Sequence, residues 1–184
     1  MTACYITGKG MHATDATWNF KTAIIKALEE TGLGYDTRFR YYQQQFPDLE
    51  TEQLARLICD PMEDYDKDWP AFLKNKPSTM SKQEAATRFM LERDNKFIAQ
   101  AQCAIACYDE AGFGSGVNAM RFLYAGKAVL GFINCKFQTN TLNISNILQL
   151  KLSYPNLFTL YEYADLEEFS TVSNNWLKTN LNTF

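Results

Sequence analysis

The chain alternates short apolar runs with longer stretches in which apolar residues recur every three or four positions. The runs at 103–107 and 128–133 are apolar throughout, which is typical of strands covered on both faces. The stretch at 15–31 carries its apolar residues on one side and predicts a helix. The other predicted strands are 4–7, 35–42 and 157–161, and further helices are predicted to follow Ser81 and the glycine-rich loop at 112–116 and to cover 142–152 and 166–181.

Strands that alternate with helices in this way form a parallel sheet through right-handed crossovers. The pattern therefore predicts a single α/β domain over residues 1–184. We expect it to be doubly wound, flavodoxin-like or Rossmann-like, with about five mostly parallel strands and helices on both faces.

Residues 43–80 have no clear period and contain most of the prolines, beside an acidic cluster at 63–66. Leu54, Leu57 and Ile58 indicate a short helix within this segment. We interpret 43–80 as an irregular excursion over the active face, because it is too short and too interrupted to form a core of its own. A Trp at position 69 could cover a ligand there, although a packing role is the simpler interpretation.

The composition, 46% hydrophobic and 21% charged, is that of a globular protein, and the formal net charge of −3 argues against a nucleic-acid-binding surface. No signal-peptide pattern opens the sequence, and no apolar stretch approaches the length of a bilayer span. These features predict a cytoplasmic protein without membrane contacts.

The five cysteines are an odd number, and Cys4, Cys103 and Cys107 lie in apolar runs. Without a second ligand pair near Cys103 and Cys107, buried free thiols are a better interpretation than a metal site. His12 is the only histidine, and no partner pattern surrounds it. The sequence therefore predicts neither a metal nor a cofactor.

Two glycine-containing loops follow predicted core strands: Gly8-Lys9-Gly10, and Gly112 to Gly116. In open parallel sheets ligands bind at the carboxyl ends of the strands, where helix N-termini supply unpaired N–H groups. Glycine permits the close backbone contact that such a site needs, although either loop alone could be an ordinary turn.

The order of several short motifs resembles the nucleoside 2-deoxyribosyltransferase family and the related nucleotide N-glycoside hydrolases. The likeness covers most of the chain except residues 43–80. It implies a nucleoside or nucleotide ligand, cleavage or exchange of the N-glycosidic bond, and a homo-oligomer whose sites are completed across subunits. The motifs that carry it are Tyr5-Ile6-Thr7-Gly8, Arg93-Asp94 with Ile98, Gly114-Ser115-Gly116-Val117-Asn118, Gly126-Lys127-Ala128-Val129-Leu130, and Leu142-Asn143-Ile144.

The family resemblance implies a two-step displacement in which a Glu attacks the anomeric carbon. That Glu stands eight residues before the Gly of the Gly-Lys pair, a position that Asn118 occupies here. A neutral amide cannot form the same ester. Three interpretations remain: the protein binds its ligand without this chemistry, Asp109 or Glu110 supplies a relocated acid, or the chain is a variant that traps a complex. An acidic pair at a strand end is more often a solvated turn.

The resemblance also implies roles for the other candidate residues. Besides Asn118, the catalytic candidates are Tyr5, whose hydroxyl would orient the nucleophile, and Asp94, which would contact and protonate the departing base. Their structural alternatives are an interior tyrosine and a helix-surface ion pair with Arg93. The substrate-binding candidates include Gly8, Gly114 and Gly116. Lys9 would face a 5′-phosphate or only solvent, and Ser115 would bond a sugar hydroxyl or a phosphate. Asn143 would either contact a neighbouring subunit or cap a helix.

Three functions therefore remain open. The first is an enzyme that cleaves or exchanges the N-glycosidic bond, and the second is a binding or interaction protein that keeps the pocket without the chemistry. The third is an unrelated flavodoxin-like or phosphate-binding module, in which the loop at Gly114 holds a phosphate.

Overall fold

The computed structural model describes residues 1–9, 14–59, 68–110, 113–137 and 141–181. Its centre is a five-stranded sheet in the order β2-β1-β3-β4-β5, in which every neighbouring pair is parallel. The strands are β1 Thr2–Thr7, β2 Gly34–Asp36, β3 Cys103–Cys107, β4 Val129–Asn134 and β5 Phe158–Tyr163. The helices are α1 Asp15–Thr31, α2 Thr37–Gln45, α3 Thr51–Cys59, α4 Asp68–Asn75, α5 Lys82–Gln100, α6 Phe113–Tyr124, α7 Thr141–Ser153 and α8 Glu168–Leu181, with a 3₁₀ turn at Cys135–Phe137.

Helices cover both faces of this sheet, as a doubly wound fold requires. On one face, the rings of Phe20 in α1, Phe132 in β4 and Phe169 in α8 meet in edge-to-face contacts, with centroids 4.7–5.6 Å apart. On the other face, Tyr5 of β1 packs on Phe122 of α6 at 5.8 Å between ring centroids. The predicted α/β architecture is confirmed.

Local sequence explains where several helices begin and end. Ser81 precedes α5, and its hydroxyl accepts a hydrogen bond from the backbone N–H of Glu84, so the predicted cap at this position is confirmed. At the other end of α1, Gly32 adopts the left-handed conformation, with φ of 63°, and its N–H bonds back to the carbonyl of Glu29.

The predicted strand at 35–42 is wrong beyond its first residues. The strand β2 ends at Asp36, and α2 occupies most of the remainder. Asp36 causes this change of structure, because its Oδ1 accepts from the N–H of Phe39 and caps α2, while its Oδ2 accepts from the N–H of Ile6 in the neighbouring strand. The aromatic residues that suggested a strand lie instead on a helix.

Where the structure describes it, the segment 43–80 is more regular than predicted; its acidic cluster at 63–66 lies outside the described residues. The expected short helix is α3, but α4 was not anticipated. The indole of Trp69 in α4 is buried and packs on Phe72 and Phe89, at ring-centroid distances of 6.0 and 5.1 Å. Trp69 therefore has the packing role, in a small apolar cluster separate from the main core.

The topology singles out one position along the sheet edge. From β1 the chain crosses to β2 on one side, whereas β3, β4 and β5 follow on the other, so the direction of winding reverses between β1 and β3. In open α/β sheets this switch point forms a crevice beyond the carboxyl ends of the strands. No helix within the described ranges is long and apolar enough to cross a membrane.

Candidate functional site

The hydroxyl of Tyr5 is the centre of the candidate site. Its side chain is fully buried in β1 beside the switch point, with the guanidinium of Arg38 lying 4.2 Å from the ring centroid. Asn118 in α6 reaches the same hydroxyl, with 3.5 Å between Nδ2 and the phenolic oxygen. Asn118 of α6 therefore lies against β1, whereas residues 10–13 and 111–112, which form most of the two predicted turns, lie outside the described residues.

Asp94 contributes a carboxylate to the same hydroxyl from α5. Burial raises the pKa of Tyr5; the cation of Arg38 opposes this, and the charge of Asp94 and its hydrogen bond with the hydroxyl raise the pKa further. The phenol therefore keeps its proton at neutral pH, and as a donor it has the Asp94 carboxylate as its acceptor. Asp94 itself is half-buried, so part of its side chain is accessible to solvent.

Arg121 lies one turn beyond Asn118 on α6 and holds the amide from the other side. Its Nη1 donates to Oδ1 of Asn118 at 3.3 Å, and its Nη2 donates to Oδ1 of Asn95 in α5. Arg121 is not among the residues predicted from the sequence, although its position three residues after Asn118 on one helix makes the two side chains neighbours and could have indicated it.

The first turn of α6 leaves open space where three substrate-binding candidates lie. A Cβ added to Gly114 or Gly116 would meet no atom within 4 Å, so neither glycine is required by packing inside the chain. Ser115 between them is buried, with 3% of its surface exposed. Space beside a helix N-terminus suits a ligand that approaches the backbone closely.

Gly8 and Lys9, unlike Gly114 and Gly116, have close neighbours inside the chain. A Cβ on Gly8 would lie 3.2 Å from the Cβ of Cys107, so this glycine lets the ends of β1 and β3 approach each other. The ammonium of Lys9 lies 3.5 Å from Oε1 of Glu110, and its carbonyl accepts a hydrogen bond from Nζ of Lys21. Lys9 is thus part of an ion pair and not only solvated.

Both members of the acidic pair after β3 have structural partners, so the interpretation as a solvated turn is wrong. Asp109 is buried and accepts from the N–H of Asn134 at 2.6 Å and from the hydroxyl of Tyr163. It thereby ties the ends of β3, β4 and β5 together. Burial raises its pKa, against the lowering effect of these two hydrogen bonds.

Glu110 closes the start of α1. Its Oε2 accepts from the N–H and hydroxyl of Thr14 and from the hydroxyl of Thr17. Burial alone would raise the pKa of Glu110, but the bonds from Thr17 and Thr14 and the charge of Lys9 lower it to about 2. A carboxylate used in this way is a helix cap, which argues against its being a relocated acid.

Asn143 lies in the first turn of α7, two residues after the helix begins, so it is not the residue that caps this helix. The structure describes the backbone of Asn143 but not its side chain. Gly10, His12 and Gly112 lie entirely outside the described residues. Whether Asn143 contacts a neighbouring subunit therefore stays a prediction.

The predicted buried thiols are confirmed for Cys4, Cys103 and Cys107, whereas Cys135 is exposed. Burial raises the pKa of Cys107 to about 12, so it is protonated and unreactive. Among the residues that the structure describes, no group of three His, Cys, Asp or Glu side chains is arranged to hold a metal ion.

A shallow cleft next to Arg38 is lined by residues of β1, β2, α1, α2 and α3. Its cavity volume is only about 10 Å³, far below the roughly 300–1,000 Å³ of most small-molecule sites. Tyr5 does not line this cleft, and the residues around the Tyr5 hydroxyl are the better candidate for a ligand-binding site.

The sequence matches no protein-family model and no curated protein. Function is therefore inferred from the residues of the site, their geometry and the resemblance of the motifs.

Proposed function

We propose that this protein binds a nucleoside or nucleotide at the carboxyl ends of β1 and β3 and cleaves or exchanges its N-glycosidic bond, in the manner of a nucleoside 2-deoxyribosyltransferase. One observation carries the proposal. Three residues that the family resemblance assigns to catalysis come from three separate elements and meet at one hydroxyl group, that of Tyr5.

The open first turn of α6 supports a place for the sugar and any phosphate. Gly114 and Gly116 leave room there, and Ser115 lies at the helix N-terminus, where unpaired N–H groups favour an anion or a hydroxyl. The base would then lie toward Asp94, the carboxylate of the cluster that is partly accessible to solvent.

Asn118 favours a second candidate function, a binding protein that keeps the pocket without the chemistry. The amide is held on both sides, by Tyr5 and by Arg121, in the position where a nucleophilic carboxylate would attack. A neutral amide in that position cannot form a glycosyl ester.

We also propose that the protein is a homo-oligomer. Tyr124 at the end of α6 is 78% exposed and Leu152 on α7 is 81% exposed, and the Tyr124 ring contacts Tyr154 at 6.4 Å between centroids. Leu152 precedes Tyr154 by two residues, and neighbouring exposed apolar side chains are typical of interfaces. Sedimentation velocity on the wild-type chain and on Leu152→Glu tests this, since the substitution should shift an oligomer toward monomer; a wild-type monomer would contradict it.

Base release and base exchange test the function directly. The wild-type chain, Asn118→Glu and Asn118→Gln are assayed by chromatography over 2′-deoxynucleosides, ribonucleosides and their 5′-monophosphates, with a second base added. We expect base exchange from Asn118→Glu, because it restores a carboxylate, and none from Asn118→Gln, which has the same length without the charge.

Calorimetric titration with the same compounds separates the two candidate functions. Saturable binding by wild type with no base release would favour the binding protein. Neither binding nor base release from wild type or Asn118→Glu would contradict both.

A further inference from the structure

The guanidinium of Arg121 is held by two amides. Its Nη1 donates to Oδ1 of Asn118 at 3.3 Å, and its Nη2 donates to Oδ1 of Asn95, so this one side chain ties α6 to α5. None of the ion pairs among the described residues includes Arg121. In that part of the chain, no carboxylate therefore neutralises its positive charge.

Arg121 has donors left for a ligand. A guanidinium carries five N–H groups in one plane, and the bonds to Asn118 and Asn95 use two of them. The residue is half-buried, so a ligand can reach part of its side chain. The group that it presents to a ligand is a rigid fork of donors with no acceptor among them.

The position of Arg121 along α6 places it toward the end of the ligand that carries the base. Gly114, Asn118 and Arg121 are four and three residues apart, so they lie on one face of the helix. A rise of about 1.5 Å per residue separates the first from the last by roughly 10 Å, a span that one nucleoside can cover. With the sugar at the first turn and the anomeric carbon near Asn118, the base reaches Arg121. Asn95, the other partner of Arg121, directly follows Asp94 on α5.

Donors from Arg121 and a carboxylate from Asp94 complement one kind of base edge. Guanine, hypoxanthine, uracil and thymine carry a carbonyl oxygen, which accepts, directly beside a ring N–H, which donates. Adenine and cytosine carry the reverse, an amino group beside a ring nitrogen that accepts. The first pattern matches a guanidinium next to a carboxylate, whereas the second sets donor against donor and acceptor against acceptor.

We propose that Arg121 is a specificity-determining residue that donates to the carbonyl oxygen of the base, while Asp94 accepts from the adjacent N–H. The protein then selects oxo bases over amino bases. The selection rests on the proposed function in either its catalytic or its binding form, because it concerns only how the base is recognised.

Matched pairs of ligands test the selection on the wild-type chain. 2′-Deoxyinosine differs from 2′-deoxyadenosine, and 2′-deoxyuridine from 2′-deoxycytidine, only in this carbonyl and N–H pattern; their 5′-monophosphates form the same pairs. We expect calorimetric titration to give a Kd about tenfold or more lower for the oxo member, because two contacts change from matched to mismatched together. In any pair that binds, equal affinities or a preference for the amino member would overturn the inference and leave the proposed function intact. If no member of any pair binds, the inference and the proposed function fail together.

Variants assign the selection to the two side chains. Arg121→Met keeps a long side chain without donors and should lower the preference for oxo bases at least about fivefold. Arg40→Met is the matched control and should keep the wild-type preference, since the Arg40 guanidinium lies 3.5 Å from the ring centroid of Tyr35, which pairs with Ala3 near the amino end of β1.

Asp94→Asn should weaken binding of 2′-deoxyinosine and strengthen binding of 2′-deoxyadenosine, because an amide nitrogen can donate to the ring acceptor of adenine. An unchanged preference in Arg121→Met would overturn the proposal. If Arg121→Met does not fold, the wild-type Kd ratios and the direction of change in Asp94→Asn still decide it.

Discussion

Two groups of carboxylates make different kinds of contact: Asp109 and Glu110, which follow β3, and Asp94, which lies in α5. Asp109 and Glu110 accept hydrogen bonds from backbone N–H groups and hydroxyls that need a partner in the folded chain. Asp94 receives its bond from Tyr5, within a chain of side chains that extends to Arg121. A carboxylate is therefore a catalytic candidate only when hydrogen bonds that stabilise the fold do not already account for it.

Asp109→Ala should give the largest effect on stability. It leaves the N–H of Asn134 and the hydroxyl of Tyr163 without their acceptor, at a cost of about 3 kcal/mol in the free energy of unfolding. Urea denaturation measures this change. Asp94→Ala is the comparison, with an expected loss of about 1 kcal/mol, because only one group, the Tyr5 hydroxyl, loses its acceptor. Equal losses from the two substitutions would contradict the comparison.

Glu110→Gln should give an intermediate effect that depends on pH. The pKa of Glu110 is lowered from 4.5 to about 2, so its ionised form stabilises the folded state above about pH 4.5, and this stabilisation is lost as the pH falls through about 2. At neutral pH we expect a loss of about 1 kcal/mol, because a charge-assisted cap at α1 becomes neutral. Thermal unfolding from pH 7 to pH 2 should show the difference from wild type shrinking with acidification, and a difference that grows would refute the capping role.

Gly116→Ala should give the smallest effect on stability, and with the opposite sign. Its Cβ would meet no atom within 4 Å, and alanine favours the helical state by about 0.5–1 kcal/mol. The same methyl group would occupy the space proposed for the sugar, so we expect nucleoside binding to weaken about tenfold. Calorimetry and thermal unfolding on the same sample check both parts; unchanged binding would place the ligand elsewhere.

Gly8→Ala is the opposite case to Gly116→Ala, because Gly8 lies where another strand is close. Here the methyl group would lie 3.2 Å from the Cβ of Cys107, and we expect a loss of about 1–2 kcal/mol from overpacking, measured by urea denaturation. A stabilising effect would show that the ends of β1 and β3 have room to separate.

The sequence predicted those elements whose signal lies within a few neighbouring residues. The apolar runs at 103–107 and 128–133 became β3 and β4, and the Ser81 cap began α5. Prediction failed at α2, because the competing signal is a single side chain, Asp36, which bonds both to its own helix and to β1. An aromatic, polar stretch has no period strong enough to reveal that choice.

The residues of the candidate site also fall into those that the sequence identified and those that only the structure showed. The resemblance selected Tyr5, Asp94 and Asn118, and the order of strands and helices placed them at one switch point. Arg121 could have been selected from its position three residues after Asn118 on α6, whereas Arg38 could not, because its part depends on the Tyr5 ring that faces it from another element.

The sequence by itself determined the alternation of strands and helices, the cap of α5 and the substitution of an amide where the family resemblance expects a carboxylate. These follow from residue type and spacing along the chain. Only the tertiary structure decided that Asp109 and Glu110 tie elements together, and that Asn118, held by Arg121, meets the hydroxyl of Tyr5. The physical reason is that a hydrogen bond depends on which donor and acceptor meet, and that is set by packing between residues far apart in the chain.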